Sequence, residues 1–112
     1  MNKPILIVGG GPAGLAAAHA LARVGQNSVV VEKQDRLGGA PILSGYAKLV
    51  PSGEWARDAI GGMVDRVRND PLVDVQTDAR VESFAGQPGA FSARLSNGTS
   101  VDAAAAILCT GF

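Results

Sequence analysis

One stretch constrains the fold before any other: "ILIVGGGPAGLAAAHALARVG", Ile5 to Gly25. Ile5 to Val8 are aliphatic without polar alternation, the pattern of a short central strand buried on both faces. Beyond the glycines, Leu15, Ala18, His19, Leu21 and Ala22 recur at helical spacing among alanines, and Gly25 supplies a stop, which predicts a helix over Ala13–Val24. Ser28 to Glu32, "SVVVE", returns to β-branched residues. Strand, helix and strand within about 28 residues is the span of a right-handed βαβ unit with parallel strands. Gly9 to Pro12 interrupt the apolar run well short of a membrane span or a signal-peptide core, so no membrane association and a cytoplasmic protein are expected.

The rest of the chain fits the same plan. Residues 33 to 53 carry Gly38, Gly39, Gly45, Gly53, Pro41 and Pro51 and read as a loop-rich connection. Trp55, Ala59, Ile60, Met63, Val64 and Val67 then fall three and four apart, an amphipathic helix over Glu54–Arg68 weakened by Gly61 and Gly62. "LVDVQ" follows as a short strand. "ARVESFA", "AFSARL" and "SVDA" alternate between a turn at Gly86 to Gly89 and the hairpin signal Asn97-Gly98, giving an antiparallel meander. "AAAILCTGF" supplies a last apolar strand. With 112 residues there is room for one small domain. The predicted fold class is α/β, in three layers: a parallel sheet, a helix layer on one face and the antiparallel β-meander as a crossover on the other.

Ten basic residues balance ten acidic ones without a run of either sign, so nothing marks a nucleic-acid surface. Cys109 is the single cysteine. No intrachain disulfide, paired-thiol centre or cysteine-rich metal site can be built from it, and no metal site or catalytic residue is assigned. At a strand position it reads as a small buried hydrophobe. His19 lies among alanines with no acid placed to orient it and is assigned no role. Trp55 reads as part of its helix's apolar face, and Tyr46 is an open case.

Gly9, Gly11 and Gly14 satisfy G-x-G-x-x-G directly after a strand and at the opening of a helix, with Glu32 ending the next strand. That is the confirming context of a dinucleotide-binding turn. Gly9 allows the tight turn, Gly11 lets the backbone approach a pyrophosphate, and Gly14 with Ala18 lets the helix lie close to the sheet. The free N–H groups at the start of the helix, around Pro12 and Ala13, favour the diphosphate. Glu32 can accept from the adenosine ribose hydroxyls and would repel a 2′-phosphate, which disfavours NADP. FAD and NAD both remain open on these residues.

The segment "GGGPAGLAAAHAL…VVVEKQDRLGG", Gly9 to Gly39, resembles the N-terminal FAD fingerprint of flavoproteins that carry two dinucleotide-binding folds, the group of glutathione reductase, thioredoxin reductase and the small chain of glutamate synthase. Glu32, Lys33 and the pair Gly38-Gly39 match its acidic residue, short loop and glycine pair. The terminal "AAAAILCTGF" is similar to its "ATG" segment, which brings Thr110 and Gly111 into the motif, and Val81 falls where the family binds adenine through a backbone group. The meander and the terminal "TGF" look most like the flavoprotein component of the heterodisulfide reductases. The resemblance implies a Rossmann-like FAD/NAD(P)-binding domain and FAD as cofactor, with NAD less favoured, in a flavin-dependent oxidoreductase moving electrons. Lys33 is included among the candidate residues because it adjoins Glu32.

Departures limit what carries over. "GGAPILSGYAKL" holds no cysteine, so dithiol chemistry after the glycine pair is excluded. Ala40 stands where flavin amine oxidases place an arginine, and the cluster-binding cysteines of the heterodisulfide reductase component are absent. The family's later Gly-Asp segment and second nucleotide domain find no counterpart within these residues. Catalysis is therefore expected to need further chain or a partner redox protein. Two other readings stay in view: a NAD-binding Rossmann module, disfavoured by Gly38-Gly39 and "CTGF", and a non-catalytic assembly protein that keeps the fold without flavin.

Overall fold

The computed structural model describes residues 3–38 and 56–109. Among the described residues, seven strands and two helices are arranged as β1 (Ile5–Val8), α1 (Pro12–Arg23), β2 (Ser28–Val31), α2 (Ala56–Asn69), β3 (Val73–Gln76), β4 (Val81–Gln87), β5 (Ala90–Leu95), β6 (Ser100–Ala103) and β7 (Ala105–Leu108). β3, β2, β1 and β7 form a wholly parallel sheet in that order, and β4, β5 and β6 form an antiparallel meander. Both sheets match the sequence-based expectation. The first helix begins one residue earlier than its periodicity suggests, because Pro12 occupies the first turn, where its missing N–H costs no hydrogen bond.

Strand alternation divides the core into two. Leu6, Val29 and Val31 point from the parallel sheet towards Ala79, Ala93, Leu95, Val101 and Ala103 of the meander side. Ile7, Val30 and Val73 point the other way, onto Leu15 and Ala18 of α1 and Ile60 and Val67 of α2. A central parallel strand buried on both faces must be apolar at successive positions, which is why β1 and β2 show no polar alternation. The helix layer and the meander thus cover opposite faces of one sheet, as the three-layer reading requires.

Three expectations need adjustment. Gly86 lies within β4, and the turn itself is Pro88–Gly89. The last strand is apolar without being buried: β7 is an edge strand among the described residues, with Ile107 and Leu108 both exposed. β4 likewise leaves the core beyond Val81, where Phe84 stacks on Phe91 with ring centroids 4.7 Å apart. Cys109, read as a buried hydrophobe on a strand, instead follows β7 directly and is half-buried against the helix-side core, because β7 ends at Leu108 on the sheet edge. Trp55 and Tyr46 fall outside the described residues.

In α2, a methyl group added at Gly61 or Gly62 would meet nothing within 4 Å among the described residues. Alanine there removes backbone freedom from the unfolded chain without crowding the folded one. Gly61→Ala and Gly62→Ala are each expected to stabilise the domain by about 0.5–1 kcal/mol. A urea titration of each variant checks this, and a lowered midpoint would mean that the α2 surface is packed.

Candidate functional site

The glycine turn leaves the carboxyl end of β1, the strand at which the order reverses between β2 and β7. In open parallel sheets this switch point is where the crevice for a ligand forms. Gly9 sits at φ +112°, a conformation that side-chain-bearing residues rarely adopt, and its N–H donates to the Val31 carbonyl at 2.8 Å. Gly11 caps α1 in an extended conformation, and no side chain among the described residues caps the helix. Its first turn carries no acidic residue. Among the described residues the N–H groups at the start of α1 therefore have no side-chain acceptor, and the helix dipole adds partial positive charge there.

Gly14 is buried on the first turn, and a Cβ at that position would overlap the Gly9 carbonyl oxygen. The requirement for glycine comes chiefly from the turn itself, since Ile7 Cγ2, on the sheet, would be 3.4 Å away. Ala18 is fully buried one helical turn on. Pro12 is half-buried and Ala13 exposed.

Glu32 follows β2 directly and is 7% exposed. Gly10 N–H donates to its Oε1 at 2.8 Å and Gln34 N–H to its Oε2 at 2.7 Å. Its backbone is held as well: Glu32 N–H donates to the Gln76 carbonyl at 2.8 Å, and Ala79 N–H donates to the Glu32 carbonyl at 3.0 Å. Gly38 N–H donates to the Gly10 carbonyl at 2.7 Å, so the loop after β2 returns to the glycine turn. Leu37 is buried against Gly10.

These distances bring together Gly9, Gly11, Pro12, Ala13, Gly14, Glu32 and Gly38 at one end of the sheet. Lys33 is next to them in the chain and exposed. Val81 opens β4 half-buried, two residues beyond Ala79. Gly39, Thr110 and Gly111 lie outside the described residues. Cys109, just before Thr110, donates its N–H to the Val8 carbonyl at 2.8 Å, beside Gly9. Gly10 and Leu37 are the contributors that motif reading passes over. Their signals are a third glycine filling an "x" position and one apolar residue in the polar run "EKQDRLGG".

A second concavity, an open groove of about 470 Å³ lined by His19, Asp65, Arg66, Asn69, Asp70 and Pro71, shares no residue with the glycine turn. Among the described residues no group of three or more His, Cys, Asp or Glu side chains could hold a metal ion, and no helix is long and apolar enough to cross a membrane.

A parallel sheet with a glycine turn at its switch point, a helix N-terminus facing the crevice and an acid at the end of β2 defines a dinucleotide-binding α/β domain. Residues 4–103 match the model of the FAD dependent oxidoreductase family. The chain belongs to that family, whose cofactor is FAD. It is 42% identical over 71 residues to a urocanate reductase of Eggerthella lenta, an alignment covering 62% of this chain and 12% of that protein. It is 30% identical over 94 residues to a component of a ferredoxin/F(420)H(2)-dependent CoB-CoM heterodisulfide reductase of Methanosarcina acetivorans, covering 84% of this chain and 12% of that protein. The L-proline dehydrogenase of P. horikoshii shares the fold with a TM-score of 0.86 at 21% identity, across 99% of this chain and 23% of that one. The chain thus spans about 12% of the length of these curated relatives.

Proposed function

We propose that this domain binds the ADP half of FAD, with Gly9, Gly11, Pro12, Ala13 and Gly14 cradling the diphosphate and Glu32 accepting from the ribose hydroxyls. The observation that carries the reading is the approach of Glu32 to the glycine turn, 2.8 Å from carboxylate to Gly10 N–H, which supports a ribose acceptor beside a diphosphate cradle. The fit is chemical as well as geometric. The N–H groups at the start of α1, without a side-chain acceptor among the described residues, suit an anion, and Gly11 puts no side chain in the approach to them. On this reading Gly38, with Lys33, extends the nucleotide wall and Val81 borders the adenine, while Gly39, Thr110 and Gly111 join the cofactor-binding set through the motif resemblance alone.

When bound, FAD supplies the electron transfer, and the protein's part is to orient it and exclude water. Electron transfer in the manner of the heterodisulfide reductases belongs, on this reading, to a longer polypeptide or to a complex with a partner redox protein. The acid at Glu32 opposes a 2′-phosphate and leaves FAD or NAD. Family membership favours FAD.

The test is to release and identify the nucleotide carried by the purified protein, and to titrate the stripped protein with FAD and NADP. Flavin absorbance, with FAD recovered and NADP binding at least tenfold weaker, is the expected result. A protein that stays colourless after incubation with FAD would support the assembly-protein reading in its place.

A further inference from the structure

We propose that Glu32 is a positioning residue for the diphosphate cradle in addition to its role towards the ribose, the latter resting on the nucleotide reading above. The geometry points to a latch. One carboxylate oxygen holds Gly10, the middle of the glycine turn, and the other holds Gln34, in the loop that follows β2. The same loop returns at Gly38, whose N–H donates to the carbonyl of that same Gly10 at 2.7 Å. Asp78, just beyond β3, donates its N–H to the Gln34 carbonyl at 2.8 Å, so the loop is itself tied to the sheet. Gly10 is thereby fixed at both its N–H and its carbonyl, with Leu37 closing over its Cα.

A carboxylate has about four lone-pair sites on its two oxygens, and the two backbone N–H groups use two of them. No other donor among the described residues reaches the carboxylate, which leaves two sites for a pair of ribose hydroxyls, so the two roles do not compete. Bonds from N–H groups to a buried charged acceptor are stronger than neutral ones and set the turn before any ligand arrives. A turn held in its binding conformation spares the ligand the cost of ordering it. Removing the carboxylate should therefore weaken binding of the diphosphate even for a ligand that has nothing for Glu32 to recognise.

That distinction can be measured on the 112-residue chain with ADP and 2′,3′-dideoxy-ADP as probes, in wild type, Glu32→Ala and Glu32→Gln, each confirmed as folded by circular dichroism. If Glu32 only bound the ribose, Glu32→Ala would lower affinity for ADP and leave that for dideoxy-ADP unchanged. The latch predicts that dideoxy-ADP also binds about tenfold more weakly to Glu32→Ala. Glu32→Gln keeps one acceptor oxygen but turns an NH₂ group towards the other N–H, so it should rescue dideoxy-ADP binding only in part. In the nucleotide-free protein, amide hydrogen exchange should lose protection at Gly10 and Gln34 in Glu32→Ala, and at one of the two in Glu32→Gln.

Dideoxy-ADP affinity within about twofold of wild type in Glu32→Ala would overturn the latch. Equal wild-type affinity for ADP and dideoxy-ADP would overturn the ribose contact alone. Should neither probe bind the wild type, the nucleotide reading fails and the exchange data decide: lost protection at Gly10 supports the latch, and unchanged protection overturns it.

Discussion

Gly14→Ala is expected to destabilise the domain by about 3 kcal/mol and to weaken nucleotide binding at least tenfold. The added methyl would overlap the Gly9 carbonyl oxygen, and it would also stand 3.0 Å from the Gly9 carbonyl carbon. Both atoms belong to backbone that cannot rotate aside. Gly9 is fixed by its bond to the Val31 carbonyl, so α1 must move instead. Moving α1 lifts Leu15 and Ala18, both fully buried, off Ile7 and Val30. The opposing term is helix propensity, where alanine gains about 1 kcal/mol over glycine. The steric term exceeds it. Chemical denaturation of the variant, set beside Gly61→Ala, separates the two: the same substitution should stabilise α2 and destabilise α1. A Gly14→Ala midpoint equal to wild type would mean that α1 does not pack this closely on the turn.

Gly11→Val should have the opposite profile, a large loss of binding with most of the fold retained. Gly11 lies at φ −79° and ψ −168°, extended backbone that valine also adopts. Its cost to stability is limited to a poorer N-cap, about 1 kcal/mol or less. A side chain at this point, however, would stand in the approach to the free N–H groups of α1, where the diphosphate must come within hydrogen-bonding distance. Calorimetric titration with ADP should show at least a hundredfold weaker binding, while thermal unfolding shifts by only a few degrees. Unchanged affinity would move the diphosphate away from this turn.

Much of this was legible in the chain because the deciding features are local. β1, α1 and β2 follow each other within a single βαβ unit, and β-branched runs, alanine-rich periodicity and Gly25 mark their limits without reference to distant residues. Asn97-Gly98 marks its hairpin for the same reason, with Gly98 at φ +88° and Leu95 N–H donating to the Thr99 carbonyl at 2.8 Å. The exposure of Ile107 and Leu108 was not legible, since an apolar strand looks the same at the edge of a sheet as in its middle. The latch was hidden for a related reason. Glu32 is visible as an acid at the end of a strand, but its bonds to Gly10 and Gln34 depend on the path of a loop that closes through Leu37 and Gly38. Gly14 was marked as a close-packing residue, and only the structure shows that its nearest obstacle is the Gly9 carbonyl.

The proposed seat of the ADP half of FAD is the crevice between the glycine turn and Glu32. An ADP titration of the isotopically labelled protein, followed amide by amide in nuclear magnetic resonance spectra, tests it most directly. Saturable shifts that are largest from Gly9 to Leu15 and from Glu32 to Gly38 are the expected result. Shifts gathered instead around His19, Asp65 and Arg66 on the helix-side groove, or none at millimolar ADP, would contradict it.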